Sequence, residues 1–160
     1  VDAIMLSGET AIGKHPVETV RWLARIIKRV EEYVAFPRIE PKEDEPLYIK
    51  FNRSIVFLAE YLGAKIVAYS TKGITAMAIA RFRPKSDVYI VTNSKKTQRQ
   101  LSLVWGIVPL LSEGSVKSLE TLSQIVKKYG YARKNDLLVL TLGWKRFPTN
   151  TQEIMVEEVR

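Results

Sequence analysis

Lys65 to Pro84 reads KIVAYSTKGITAMAIARFRP, and the fold turns on this stretch. Lys65–Tyr69 is an apolar, partly β-branched run of strand length. Ser70-Thr71-Lys72-Gly73 is a small polar turn. Ile74–Phe82 is rich in alanine and predicts a short helix. It must stop before Pro84, which cannot continue a helix and biases the residue ahead of it away from one. A strand that feeds a helix through such a turn leaves backbone N–H groups free at the helix N-terminus, where the helix dipole adds partial positive charge. With the hydroxyls of Ser70, Thr71 and Thr75 and the ammonium of Lys72, the turn reads as a phosphate cradle. An ordinary βα turn that binds nothing is the alternative reading.

Composition narrows the function classes. The chain has 160 residues, 46% of them hydrophobic, enough for a compact domain with a real core. It has no cysteine, which removes disulfides, a thiol nucleophile and cysteine-bound zinc. Its single histidine, His15, removes a multi-histidine metal site. No apolar run approaches the length of about 18 residues that a membrane span needs, and no signal peptide is evident. A cytoplasmic protein without membrane partners is the expectation.

The formal charge is +8, from 25 Lys+Arg against 17 Asp+Glu. That favours anionic partners. The charge is scattered, however, over Arg21/Arg25/Lys28/Arg29, Arg81/Arg83/Lys85, Lys95/Lys96/Arg99 and Lys127/Lys128, as on solvated helix faces. No basic stripe with stacking aromatics and no helix-turn-helix pattern is present, so nucleic acid is not expected as a partner.

From its start, the chain opens with Val1–Leu6, an apolar strand-like run without an initiator Met. It reads as a piece of a longer chain. Ser7–Gly13 is a polar loop. Pro16 opens a long helix, as proline in the first turn often does. Val20, Leu23/Ala24, Ile27, Val30 and Val34 form one apolar stripe on it, and Trp22, Ile26 and Tyr33 a second. Such a helix wants two packing partners. Phe36–Glu45 has prolines and charges without periodicity and reads as a linker. Asp44-Glu45-Pro46 predicts a helix start with a capping acid, and Gly63 its end.

Beyond the central turn, Val88–Thr92 predicts a second strand, Lys95–Val104 a helix and Ile107–Leu111 a third strand. A helix carrying Leu119, Leu122, Val126 and Tyr129 follows. Leu137–Leu142 predicts a fourth strand, Gly143–Asn150 a basic-aromatic loop and Ile154–Val159 a final strand. Helices alternate with continuous apolar strands, the sign of a parallel sheet covered on both faces. Ligands of such sheets bind outside the carboxyl ends of the strands. Ser70–Thr75 and Gly143–Thr151 both leave strands at those ends.

Met5-Leu6-Ser7-Gly8-Glu9-Thr10-Ala11, with Gly13, Pro16, Val17 and Glu18, closely resembles the pyruvate kinase segment at the last strand of the catalytic barrel. Arg83-Pro84-Lys85, Val91-Thr92, Gln98-Arg99 and Trp105-Gly106-Ile107-Val108-Pro109-Leu110-Leu111 resemble the C-terminal domain of the same family, in its order and spacing. The resemblance implies an α/β chain: residues 1–35 as the last strand and helix of a (β/α)8 barrel, 36–46 as a linker, and 47–160 as the regulatory domain. That domain would be a three-layer α/β/α sandwich on a mostly parallel five-stranded sheet whose last strand runs antiparallel.

The resemblance also implies a chemistry. The family transfers phosphate from phosphoenolpyruvate to ADP with Mg2+ and usually K+, and forms homotetramers through the barrel and the C-terminal domain. Its principal catalytic and metal-binding residues would lie upstream of Val1, so none of the metal ligands belongs to this chain and the chain alone is expected to be inactive. Ser7 would lie near the reaction centre, in a proton or water relay, or would only hydrogen-bond its loop. The family binds a phosphorylated effector at a turn that Ser70, Gly73 and Thr75 match. Lys72 stands in place of a hydroxyl and Ile74 in place of a basic residue. The second half of that site would be Gly143–Pro148, where Trp144 stacks on a sugar or base and Lys145 and Arg146 take phosphate. The shortage of glycine there argues against a sugar bisphosphate and for a monophosphate. The alternatives are an effector site that has been lost and a free-standing phosphate-binding module.

Overall fold

The computed structural model describes residues 2–34, 39–144 and 151–160. The chain divides into two compact units, Val1–Arg38 and Ile39–Arg160.

The first unit is helical. A single turn, α1 (Gly8–Ala11), precedes the long helix α2 (Pro16–Glu31). Pro16 sits at the first position of α2, where its missing N–H has no intrahelical partner to lose. The polar run after Ser7 was expected to be loop; instead the Thr10 and Ala11 amides donate to the Ser7 carbonyl at 3.1 and 2.9 Å and close a helical turn. Residues 2–6 are not a strand, contrary to their apolar pattern. A strand exists through its ladder, and among the described residues of this unit no second strand offers one. Much of both apolar stripes of α2 is exposed, at Val20, Trp22, Ile26, Val30 and Tyr33, while Leu23 and Ile27 are half-buried.

The second unit is a sandwich around a five-stranded sheet. Its elements in chain order are α3 (Leu47–Leu62), β1 (Lys65–Tyr69), α4 (Ile74–Ala80), β2 (Val88–Thr92), α5 (Lys95–Leu101), β3 (Ile107–Leu111), α6 (Leu119–Lys128), β4 (Leu137–Trp144) and β5 (Thr151–Glu158). The strands lie in the order β3-β2-β1-β4-β5. The first four are parallel, and β5 runs antiparallel to β4.

Strand chemistry explains the layering. Every residue of β2 is buried, as is the centre of β1, so apolar side chains must be covered on both faces. Alternate residues point to opposite faces. Ile66, Ala68, Val88 and Ile90 pack with Ile55 and Ala59 of α3, Ile79 of α4 and Leu101 of α5. Val67, Val91, Leu138 and Leu140 pack with Leu122 and Val126 of α6. Right-handed crossovers give the same division. The chain moves from β1 outward to β3 with its helices on one face, then reverses to reach β4 and lays α6 on the other.

Several boundaries differ from the sequence pattern. Asp44 does not cap α3; the cap is Pro46, with no side-chain bond. Helix α4 ends at Ala80 and α5 at Leu101, each short of the predicted end. Strand β4 extends through Gly143 to Trp144, because the hairpin partner β5 begins at Thr151 and pairs with it there. Gly63 terminates α3 in the left-handed conformation, with φ 64°.

Candidate functional site

The reversal of winding gives the sheet a switch point between β1 and β4, which are neighbours. In open α/β sheets the crevice outside the carboxyl ends at such a point is where ligands bind. The Ser70–Gly73 turn stands there.

The turn is held by its neighbours. The Ser70 amide donates to the Val91 carbonyl at 2.9 Å, and the Ser70 residue is buried. The Thr97 hydroxyl, buried on α5, donates to the Thr71 carbonyl at 2.8 Å. Gly73 is the N-cap of α4 with φ 82°, a conformation that favours glycine. A Cβ there would meet only Leu101 and Thr97 at ordinary contact distance, so backbone conformation rather than space requires the glycine. The Gly73 carbonyl accepts the Met77 amide at 3.0 Å, which begins α4. The first amides of α4 have no acceptor within the helix and are presented with its positive end.

The predicted turn residues therefore come together on one edge. Thr71 and Lys72 are exposed, Thr75 is half-buried, and Ser70 and Gly73 are buried. Ile74 is exposed beside them. Strand β4 runs beside β1, with Ala68 paired to Thr141, and continues beyond it to Trp144. The Trp144 side chain, Lys145 and Arg146 lie outside the described residues.

Sequence reading missed the supports. Thr97 was passed over as one more residue of a basic helix. Its position three residues after the cap Ser94, on a helix beginning at the carboxyl edge, is the signal that would have found it. Ser94 accepts the Thr97 amide at 3.2 Å. Asn93 donates to the Ser115 hydroxyl at 3.3 Å, closing the polar rim beside β2.

In the first unit, Ser7 is exposed. Its amide donates to the Glu9 carboxylate at 3.0 Å. Glu9's carboxyl is held below the usual range by hydrogen bonds from its own amide and from that of Ser7. This is the loop-bracing geometry.

Comparison with known proteins fixes the family. Residues 51–155 match the family model "Pyruvate kinase, alpha/beta domain". Pyruvate kinase 2 of Synechocystis sp. is 33% identical over 162 aligned residues, which take in 99% of this chain and 27% of that protein. Pyruvate kinase of Pyrobaculum aerophilum is 37% identical over 139 residues, 81% of this chain and 29% of that protein. The crystal structure of a pyruvate kinase from Pyrobaculum aerophilum superposes with a TM-score of 0.77 at 30% identity, over 98% of this chain and 32% of that one. The chain thus spans about a third or less of the length of these relatives. A five-stranded, mostly parallel α/β unit with this match places the chain in the pyruvate kinase family, at the C-terminal alpha/beta domain.

Proposed function

We propose that this chain is the C-terminal part of a phosphotransferase that moves the phosphate of phosphoenolpyruvate to ADP, and that its second unit binds a phosphorylated small molecule at the Ser70–Thr75 turn. The observation that carries the reading is the position of that turn: a glycine-capped helix start at the carboxyl edge, beside the β1–β4 switch point. Lys72 supplies a point charge, the Ser70, Thr71 and Thr75 hydroxyls hydrogen-bond oxygen, and the α4 amides complete the cradle. By the family resemblance Trp144 would stack on a sugar or base, and Lys145 and Arg146 would take phosphate. The ligand is a monophosphate rather than a sugar bisphosphate.

Phosphoryl transfer needs metal and cationic groups in line with the phosphate. In this reading Mg2+ and K+ are held by the barrel of the whole enzyme, and this chain supplies none of their ligands. Ser7, whose amide engages Glu9, serves either a proton or water relay at the barrel's reactive face or only the bracing of its own turn. The two exposed stripes of α2 serve barrel and subunit packing in a cytoplasmic homotetramer. The test is a phosphoenolpyruvate-dependent ADP phosphorylation assay on this chain and on the longer polypeptide that carries it. The chain alone gives no turnover, and the longer protein turns over and responds to the effector. Turnover by the chain alone, or none by the longer protein, overturns the proposal.

A further inference from the structure

The second unit begins at Ile39, eight residues before its first helix. Residues 39–46 form no regular element that would hold them: a hydrogen bond from the Glu45 amide to the Lys42 carbonyl at 3.3 Å closes one turn, and every side chain but that of Glu45 is exposed. A segment with so little burial is expected to open easily.

Two side chains of α3 reach back to it. Lys50 and Arg53 are three residues apart and so share one helix face. The Lys50 ammonium donates to the Glu43 carbonyl at 2.7 Å. The Arg53 guanidinium donates through one nitrogen to the Ile39 carbonyl and through another to both oxygens of the Glu45 carboxylate, the Oε1 contact being 2.6 Å. The same guanidinium lies 4.9 Å from the centre of the Phe82 ring, just beyond α4. The side chains of Arg53 and Glu45 are only 18% and 8% exposed, so solvent screens this pair far less than a surface one. The planar fork of arginine can satisfy a carboxylate and a backbone carbonyl at once, which lysine cannot.

We infer that Arg53 is a clasp that turns the 39–46 segment from a free linker into a strap fixed to α3, with Glu45 as its catch and Phe82 as its backing. The strap is then the rigid leading edge of the second unit, and a displacement of its start is delivered to α3 instead of being absorbed by slack chain. The device rests on side chains distant from the phosphate turn and stands whether or not that turn binds a ligand.

Hydrogen exchange read peptide by peptide on the full chain tests it, in the parent and in Arg53→Lys and Glu45→Gln. Both substitutions keep size, and Glu45→Gln leaves α3 untouched should Arg53→Lys fail to fold. The clasp predicts that amides in 40–46 exchange at least tenfold faster in either variant, while amides of β1, β2 and the centre of α3 keep the parent rates. Unchanged exchange in 40–46 overturns it. So does an equal acceleration over the whole unit, which would make the pair an ordinary stabilising contact.

Discussion

Ala68 of β1 lies opposite Thr141 of β4 in parallel register, one residue before the end of β1 and three before the end of β4. Strand β1 leaves the sheet after Tyr69, while β4 runs on through Leu142 and Gly143 to Trp144, paired there with β5. Thr141 is buried and donates its hydroxyl to the Glu153 carbonyl at 3.0 Å, tying β4 to β5 at the same level. The register sets the geometry of the proposed cradle. The Ser70–Gly73 turn and the last residues of β4 are placed by the backbone ladders of β1, β4 and β5.

Gly73 is the conformational keystone of the turn. At φ 82°, an alanine meets no clash but occupies the left-handed region, at a cost of about 1–2 kcal/mol. Gly73→Ala should lower the urea midpoint accordingly, and Gly73→Asn should lose less, since asparagine tolerates that conformation better. Equal stability of parent and alanine variant would show that the turn relaxes.

Leu122 of α6 is fully buried among Val67, Val91, Leu138 and Leu140. Leu122→Ala should cost about 2–5 kcal/mol by losing buried area and opening a cavity. Tyr61 on α3 is 80% exposed, and Tyr61→Ala should change stability by less than about 0.5 kcal/mol. Chemical denaturation of both variants checks the contrast.

Asp136 accepts the Lys65 ammonium at 2.6 Å and the Arg133 amide at 2.7 Å. The Lys65 hydrogen bond, then the Arg133 amide and the charges of both residues, hold its carboxyl below the usual range against the opposing effect of burial. A carboxyl depressed in the folded state contributes stability that is present above the unfolded-state value of about 4 and is lost as pH falls through the folded value. Urea midpoints should drop below pH 4 in the parent and drop less in Asp136→Asn, which carries no titrating group. Identical acid limbs would remove Asp136 from the account.

Tyr89 titrates at the other end of the scale. Burial first, and then the charge of Asp87, push its phenol up to about 12. The hydroxyl donates to Asp87 at 3.4 Å, and the ring lies tilted by 34° against that of Tyr131, with centroids 4.8 Å apart. Here the folded value is raised, so stability is full below the unfolded value of about 10 and is lost as pH rises toward 12. Tyr89→Phe should lose less stability than the parent between pH 10 and 12. A parallel decline would contradict the assignment.

Much of the fold was legible because the second unit's strands are buried on both faces. Val88–Val91 and Ile66–Tyr69 are runs without a charged residue, the pattern of strands in a covered parallel sheet. Glycine stops were legible too, as at Gly63. Residues 2–6 misled, since an apolar run states a preference and a ladder needs a partner that the run itself cannot name. The end of β4 was hidden because Gly143 and Trp144 look like loop and are strand only through pairing with Gln152 and Thr151. The turn at Ser70–Gly73 was legible from its own residues. Thr97 was harder to read, because its contact with Thr71 spans 26 positions and the one local hint is its place three residues after the cap Ser94.

The most direct test of the phosphate cradle is isothermal titration of the chain with AMP and with sugar phosphates, beside Lys72→Ala. The account predicts a binding heat with a phosphomonoester that Lys72→Ala abolishes while the melting curve stays in place. A flat trace with every phosphate, or a heat that survives Lys72→Ala unchanged, would contradict it.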